Sequence, residues 1–181
     1  MNDQMLRTAV QLHQQGNLAE ASRIYGEVLR SNPKHFDALY LLGFANLQRG
    51  AFDDAERLMG RALEINPSSL DALRNRGVAL QQLNRHADAL VSYEKGLALA
   101  PHAVEISIAR GTALSQLGRH EEAFQAYDRA VVTKPDLVVG WALRGNALLG
   151  QGKYEEALAG YDRAVGLHPD LAEAWRYRTP T

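Results

Sequence analysis

The chain has 181 residues, 46% hydrophobic and 23% charged, which is ordinary for a globular protein and excludes a disordered one. Its 20 basic and 21 acidic residues leave a net charge of −1 with no basic run, so nucleic acid and anionic membrane surfaces are disfavoured as partners. There is no cysteine, which removes disulfides, thiolate chemistry and cysteine-bound metals together.

The first fifteen residues are broken by Asp3, Arg7 and His13 and lack the continuous apolar stretch of a signal peptide. No run approaches the ~18 apolar residues of a membrane span. The sequence reads as cytoplasmic and independent of membranes.

An internal period organises everything else. Pro33, Pro67, Pro101, Pro135 and Pro169 are spaced by 34 residues without an insertion or deletion. They define units 2–35, 36–69, 70–103, 104–137 and 138–171, read as one array over 1–181. Stacked on one another, the units show an invariant alanine column of Ala21, Ala55, Ala89, Ala123 and Ala157. A small-residue column holds Ala9, Gly43, Gly77, Gly111 and Gly145, and a large one holds Tyr25, Met59, Tyr93, Tyr127 and Tyr161. A turn column of Gly16, Gly50, Asn84, Gly118 and Gly152 calls for positive φ, where asparagine is the best substitute for glycine.

Each unit divides into two helices at that turn. In the fifth, Trp141, Gly145 and Leu148 fall at i, i+4 and i+7 on a first helix ending near Gly152. Ala157, Tyr161 and Ala164 repeat the spacing on a second helix that ends before Pro169. Small residues let the paired axes approach and the aromatic fills the space between them. No period-two alternation is sustained, so strands are not expected. Beyond Pro169, Trp175 falls in the Trp141 column and opens a sixth first helix over 172–178, which stops in mid-motif at Arg178-Thr179. The expectation is either a capping helix or, preferred, an array that continues past Thr181.

These columns together resemble the tetratricopeptide repeat, over essentially the whole chain. The resemblance implies an all-α, right-handed α-solenoid, or superhelix, of antiparallel helix pairs, with first helices lining a concave groove and second helices forming the convex back. It also implies a protein-interaction scaffold that binds a peptide or protein in the groove. Of the family's known groove chemistries, the clamp for chaperone carboxyl termini is absent around Asn75. An asparagine ladder would occupy the column of Arg7, Leu41, Asn75, Ala109 and Leu143, where only Asn75 fits.

Catalytic and metal sites are not expected. His13, His35, His86, His102, His120 and His168 form no i, i+3 or i, i+4 pair, and no serine elbow or phosphate-cradling loop is present. No cofactor is called for. The column of Arg76, Arg110 and Arg144 co-occurs with Glu94, Asp128 and Asp162, while units with Thr8 and Leu42 have Gly26 and Gly60. Each arginine is expected to cross to the acid of its own second helix, a contact worth ~0–1 kcal/mol.

Function then falls to first-helix columns left over after packing. They offer Leu6 and Val10 in unit one, Tyr40, Leu41, Phe44 and Leu47 in unit two, and Arg74, Asn75, Val78 and Gln81 in unit three. Thr112 and Asn146 continue them in units four and five. Tyr40 and Phe44 are the preferred anchors for a partner segment. Two rivals stand beside this reading: a targeting arm of a larger enzyme such as a glycosyltransferase, and self-assembly into a homo-oligomer through repeat ends near Met5 or Trp175 and Tyr177.

Overall fold

A computed structural model describes residues 2–168. Among these residues there are ten α-helices and no strand. They are α1 Asn2–Gln14, α2 Leu18–Ser31, α3 Phe36–Gln48, α4 Phe52–Ile65, α5 Leu70–Gln82, α6 His86–Leu99, α7 Val104–Gln116, α8 His120–Thr133, α9 Val138–Gly150 and α10 Tyr154–Leu167. The expected helix over 172–178, with Trp175 and Tyr177, lies outside the described residues.

The chain divides into two compact units at Ala100/Pro101. In the first, α1 packs on α2, α3 on α4 and α5 on α6, while α2 meets α3 and α4 meets α5. First helices also touch directly, α1 with α3 and α3 with α5. The second unit repeats the scheme with α7 on α8, α9 on α10, α8 against α9 and α7 against α9.

The turn column behaves as its residues dictate. Gly16, Gly50, Gly118 and Gly152 have φ of 80°, 77°, 72° and 75°, and Asn84 has φ 57°. Each reverses the chain within a few residues, which sets the two helices of a unit antiparallel. The prolines stand two residues beyond the ends of α2, α4, α6 and α8, where a helix can no longer use the missing N–H.

Inside each pair the decisive contact is a ring laid over a glycine. A Cβ added to Gly77 would stand 2.3 Å from Tyr93 Cε1, and one on Gly111 would stand 2.5 Å from Tyr127 Cε1. At Gly145 the same distance, to Tyr161 Cε1, is 2.8 Å. Tyr93 and Tyr127 are buried, as are Ala89 and Ala123 of the invariant column. In unit two Met59 replaces the ring, and a Cβ on Gly43 would meet its Cε at 3.2 Å.

The arginine column corrects the sequence-based pairing. Arg76 Nε and Nη2 donate to Glu56 Oε1 at 2.9 and 2.6 Å, and Arg144 Nε donates to Asp128 Oδ1 at 2.7 Å. Both acids belong to the preceding second helix, not to the arginine's own, because this column points into the α4/α5 and α8/α9 interfaces. The Arg144 guanidinium also lies 4.7 Å from the Phe124 ring centroid and 5.7 Å from that of Trp141. Phe124 occupies the column of Glu56, so an aromatic face and a carboxylate receive the same cation in different units.

The ring contact makes a paired prediction. Gly77→Ala forces the Tyr93 ring to move and lowers unfolding stability by about 1–3 kcal/mol in urea denaturation. Gly26→Ala, in α2 with no atom within 4 Å of the added Cβ, raises it by about 0.5–1 kcal/mol through helix propensity.

Candidate functional site

The leftover face of α3 carries Phe36, Tyr40 and Phe44 at i, i+4 and i+8, and the structure arranges them as a stair of parallel rings. Phe36 and Tyr40 have centroids 6.2 Å apart and planes 7° apart; Tyr40 and Phe44 are 6.3 Å and 1° apart. Four residues of helix rise about 6 Å, so the helix itself sets this spacing. His13 of α1 adds a further plane, stacked on Phe44 at 5.6 Å and 15°.

Hydrogen bonds brace the stair on both sides. His13 Nε2 donates to Gln48 Oε1 at 2.8 Å, and its Nδ1 is hydrogen-bonded to the Tyr25 hydroxyl at 3.3 Å. Across to α5, Asn75 Nδ2 donates to Tyr40 Oη at 3.3 Å. Burial raises the Tyr40 hydroxyl above its ordinary pKa and Asp71 adds to the rise, against the opposing effects of Arg74 and the Asn75 bond. The hydroxyl therefore keeps its proton at neutral pH and remains a donor to any ligand at its edge. Arg74 lies 3.5 Å from Asp71.

The predicted residues separate into several groups. Tyr40, Phe44, Arg74 and Asn75 come together around the stair, with Asn75 only 4% exposed and serving as a brace. Leu6, Val10 and Leu41 are half-buried against the core formed by Ala9, Ala21, Ile24 and Tyr25. Leu47 and Val78 are half-buried on α3 and α5. Gln81 accepts the Tyr93 hydroxyl. In the second unit, Thr112 Oγ1 accepts from Tyr127 at 3.3 Å and Asn146 Oδ1 accepts from Tyr161 at 2.7 Å.

These last bonds expose a rule that the column reading missed. Every tyrosine of the large column, buried in units one, three and four and half-buried in unit five, finds a polar partner on its own first helix, in one of two columns three residues apart. His13 serves Tyr25, Gln81 serves Tyr93, Thr112 serves Tyr127 and Asn146 serves Tyr161. Unit two has Met59, which needs no partner, and there the two columns hold Phe44 and Leu47. The signal was readable: a hydroxyl buried by its column demands an acceptor, and losing the hydroxyl frees those positions. His13 stacks on Phe44 and holds Gln48, so both border the stair.

Helix pairs repeated at a fixed period, with a braced aromatic face on consecutive first helices, define an α-solenoid interaction scaffold. Three family models, each described as Tetratricopeptide repeat, match residues 12–77, 74–137 and 138–178. The chain belongs to the tetratricopeptide repeat family. Its fold is similar to that of MamA, with 22% identity, 91% of this chain and 96% of that chain covered, and a TM-score of 0.86. MamA from Desulfovibrio magneticus RS-1 gives 20%, 93%, 96% and 0.89 in the same order. YrrB, described as a TPR protein with an unusual peptide-binding site, gives 20%, 96%, 90% and 0.83. No curated protein matches the chain by sequence. No helix among the described residues is long and apolar enough to cross a membrane.

The hydroxyl rule yields a double-mutant test. Gln81→Leu leaves the Tyr93 hydroxyl buried and unpaired and costs about 1–3 kcal/mol, whereas adding Tyr93→Phe restores most of the loss. Urea denaturation of the two single variants and the double variant measures the coupling.

Proposed function

We propose that the ring stair on α3, with His13 of α1 and Asn75 of α5, is the anchor site for an extended or helical segment of a protein partner. The observation that carries this reading is the stair itself. Three partly buried aromatic rings lie parallel on one helix face, with Tyr40 held by a hydrogen bond from Asn75 of α5 and Phe44 stacked against His13 of α1. A surface ordered in advance loses little side-chain freedom when a partner arrives. Aromatic anchors in a partly desolvated setting are the usual centres of binding energy.

Polar groups surround the anchor and can guide a backbone. Gln14, Gln48 and Gln82 share one exposed column at the ends of α1, α3 and α5. Gln48 has its oxygen engaged by His13, which leaves its amide hydrogens to donate. Peptide binding by the similarly folded YrrB supports this reading. The chemistry on this face is recognition, and we assign the protein a binding rather than a catalytic role. Gln81, Thr112 and Asn146 support their tyrosines first and contribute less to recognition than Tyr40 and Phe44.

Phe44→Asp and Tyr40→Asp place a charge in the stair. Each is expected to abolish capture of a partner by the immobilised protein from extract while far-ultraviolet circular dichroism stays at the wild-type level. Undiminished capture by both variants removes the stair from the binding role.

A further inference from the structure

One face of α10 repeats the surface on which α8 receives α9, yet it stands open. On α8, Arg144 of α9 meets the Phe124 ring at 4.7 Å and Asp128 Oδ1 at 2.7 Å. A Cβ added to Gly140 of α9 would stand 2.8 Å from Val131 Cγ1. One repeat later Leu158, Asp162 and Val165 hold the columns of Phe124, Asp128 and Val131. Val131 is 2% exposed and Phe124 half-buried, whereas Val165 is 39% and Leu158 59% exposed.

The residues that would complete this contact lie further along the same chain. Ala174, Trp175 and Arg178 stand in the columns of Gly140, Trp141 and Arg144. Pro169 stands where Pro135 accepts the Trp141 indole N–H at 2.9 Å. Alanine in the Gly140 column is already used at Ala38 and Ala72, both fully buried. Two other columns break. Thr179 replaces the glycine that, in unit five, lies under Tyr161 of that unit's own second helix. Pro180 falls in the column of Asn146 in mid-α9, where its missing N–H and its clash with the residue before it end a helix. The segment keeps what faces the preceding second helix and drops what a second helix of its own would need.

We infer that residues 172–178 of this same chain cover the open face of α10 as a short capping helix, with Trp175 and Ala174 against its apolar side chains and Arg178 paired with Asp162. Trp175 and Arg178 are three residues apart, so a helix sets them on one face, as it does Trp141 and Arg144 over α8. So short a helix has little stability in water by itself, and the burial of Leu158 and Val165 supplies what it lacks. The guanidinium stem covers apolar surface while its head reaches the carboxylate. A second copy docking through α1 fits the face less well: the same columns there hold Gln4, Met5 and Thr8, which bring no cation to Asp162.

The test uses the full chain with Trp141→Phe, which leaves Trp175 as its only tryptophan, and follows acrylamide quenching of the fluorescence. Quenching at least threefold weaker than that of free tryptophan, and unchanged on dilution, is expected. Asp162→Arg should raise it at least twofold, and adding Arg178→Asp should restore the shielding. Leu158→Glu should expose Trp175 as well, with circular dichroism checking that the helices persist. In the chain that retains Trp141, labelled with ¹⁵N, the indole signal of Trp175 should shift with Leu158→Glu, a readout independent of the Trp141 substitution. Quenching equal to that of free tryptophan, an indole signal unmoved by Leu158→Glu, or failure of Arg178→Asp to restore the Asp162→Arg chain would overturn the assignment. So would shielding lost on dilution, which marks a second copy as the occupant.

Discussion

The structure depends on a tyrosine ring resting on a glycine of the facing helix. The contact leaves no room for a Cβ at Gly77 or Gly111, and it brings two helix axes close enough for the invariant alanines to disappear from solvent. It also carries a polar group into the packed region. The hydroxyl of each such ring must be answered by the first helix that it covers. One contact therefore dictates three columns of the repeat: the glycine, the aromatic and a polar acceptor further along the glycine's own helix.

Unit two escapes the third requirement. Met59 fills the space with a flexible apolar side chain and brings no hydroxyl. The positions that hold His13, Gln81, Thr112 or Asn146 in other units are released, and Phe44 and Leu47 occupy them. The brace from His13 to Gln48 and that from Asn75 to Tyr40 then tie the released face to its neighbours on both sides. The position that answers the tyrosine in unit one, His13, is held in unit two by Leu47.

Much of this was legible in the sequence because the repeat supplies its own comparison. Asn84 in a glycine column reads as positive φ without a structure, and its φ of 57° agrees. Helix ends followed from the turn and proline columns. The partner of the arginine column did not, because a first helix touches two second helices, its own and the preceding one, and spacing along the chain cannot choose between them. Arg144 turns to Asp128, where the α8/α9 interface puts it. The site was legible in part. Tyr40 and Phe44 stood out as apolar residues left over from packing, whereas Gln81, Thr112 and Asn146 looked equally spare until the tyrosine hydroxyls had been traced to them.

The central claim is that a hydroxyl in the large column obliges the first helix to answer it. Met59→Tyr in unit two tests this most directly, with Met59→Phe as the control for ring volume. In urea denaturation, Met59→Tyr should be less stable than Met59→Phe by about 1–3 kcal/mol, since Phe44 and Leu47 offer its hydroxyl nothing. Adding Leu47→Gln should recover most of that difference. Equal stability of Met59→Tyr and Met59→Phe, or no recovery with Leu47→Gln, would contradict the account.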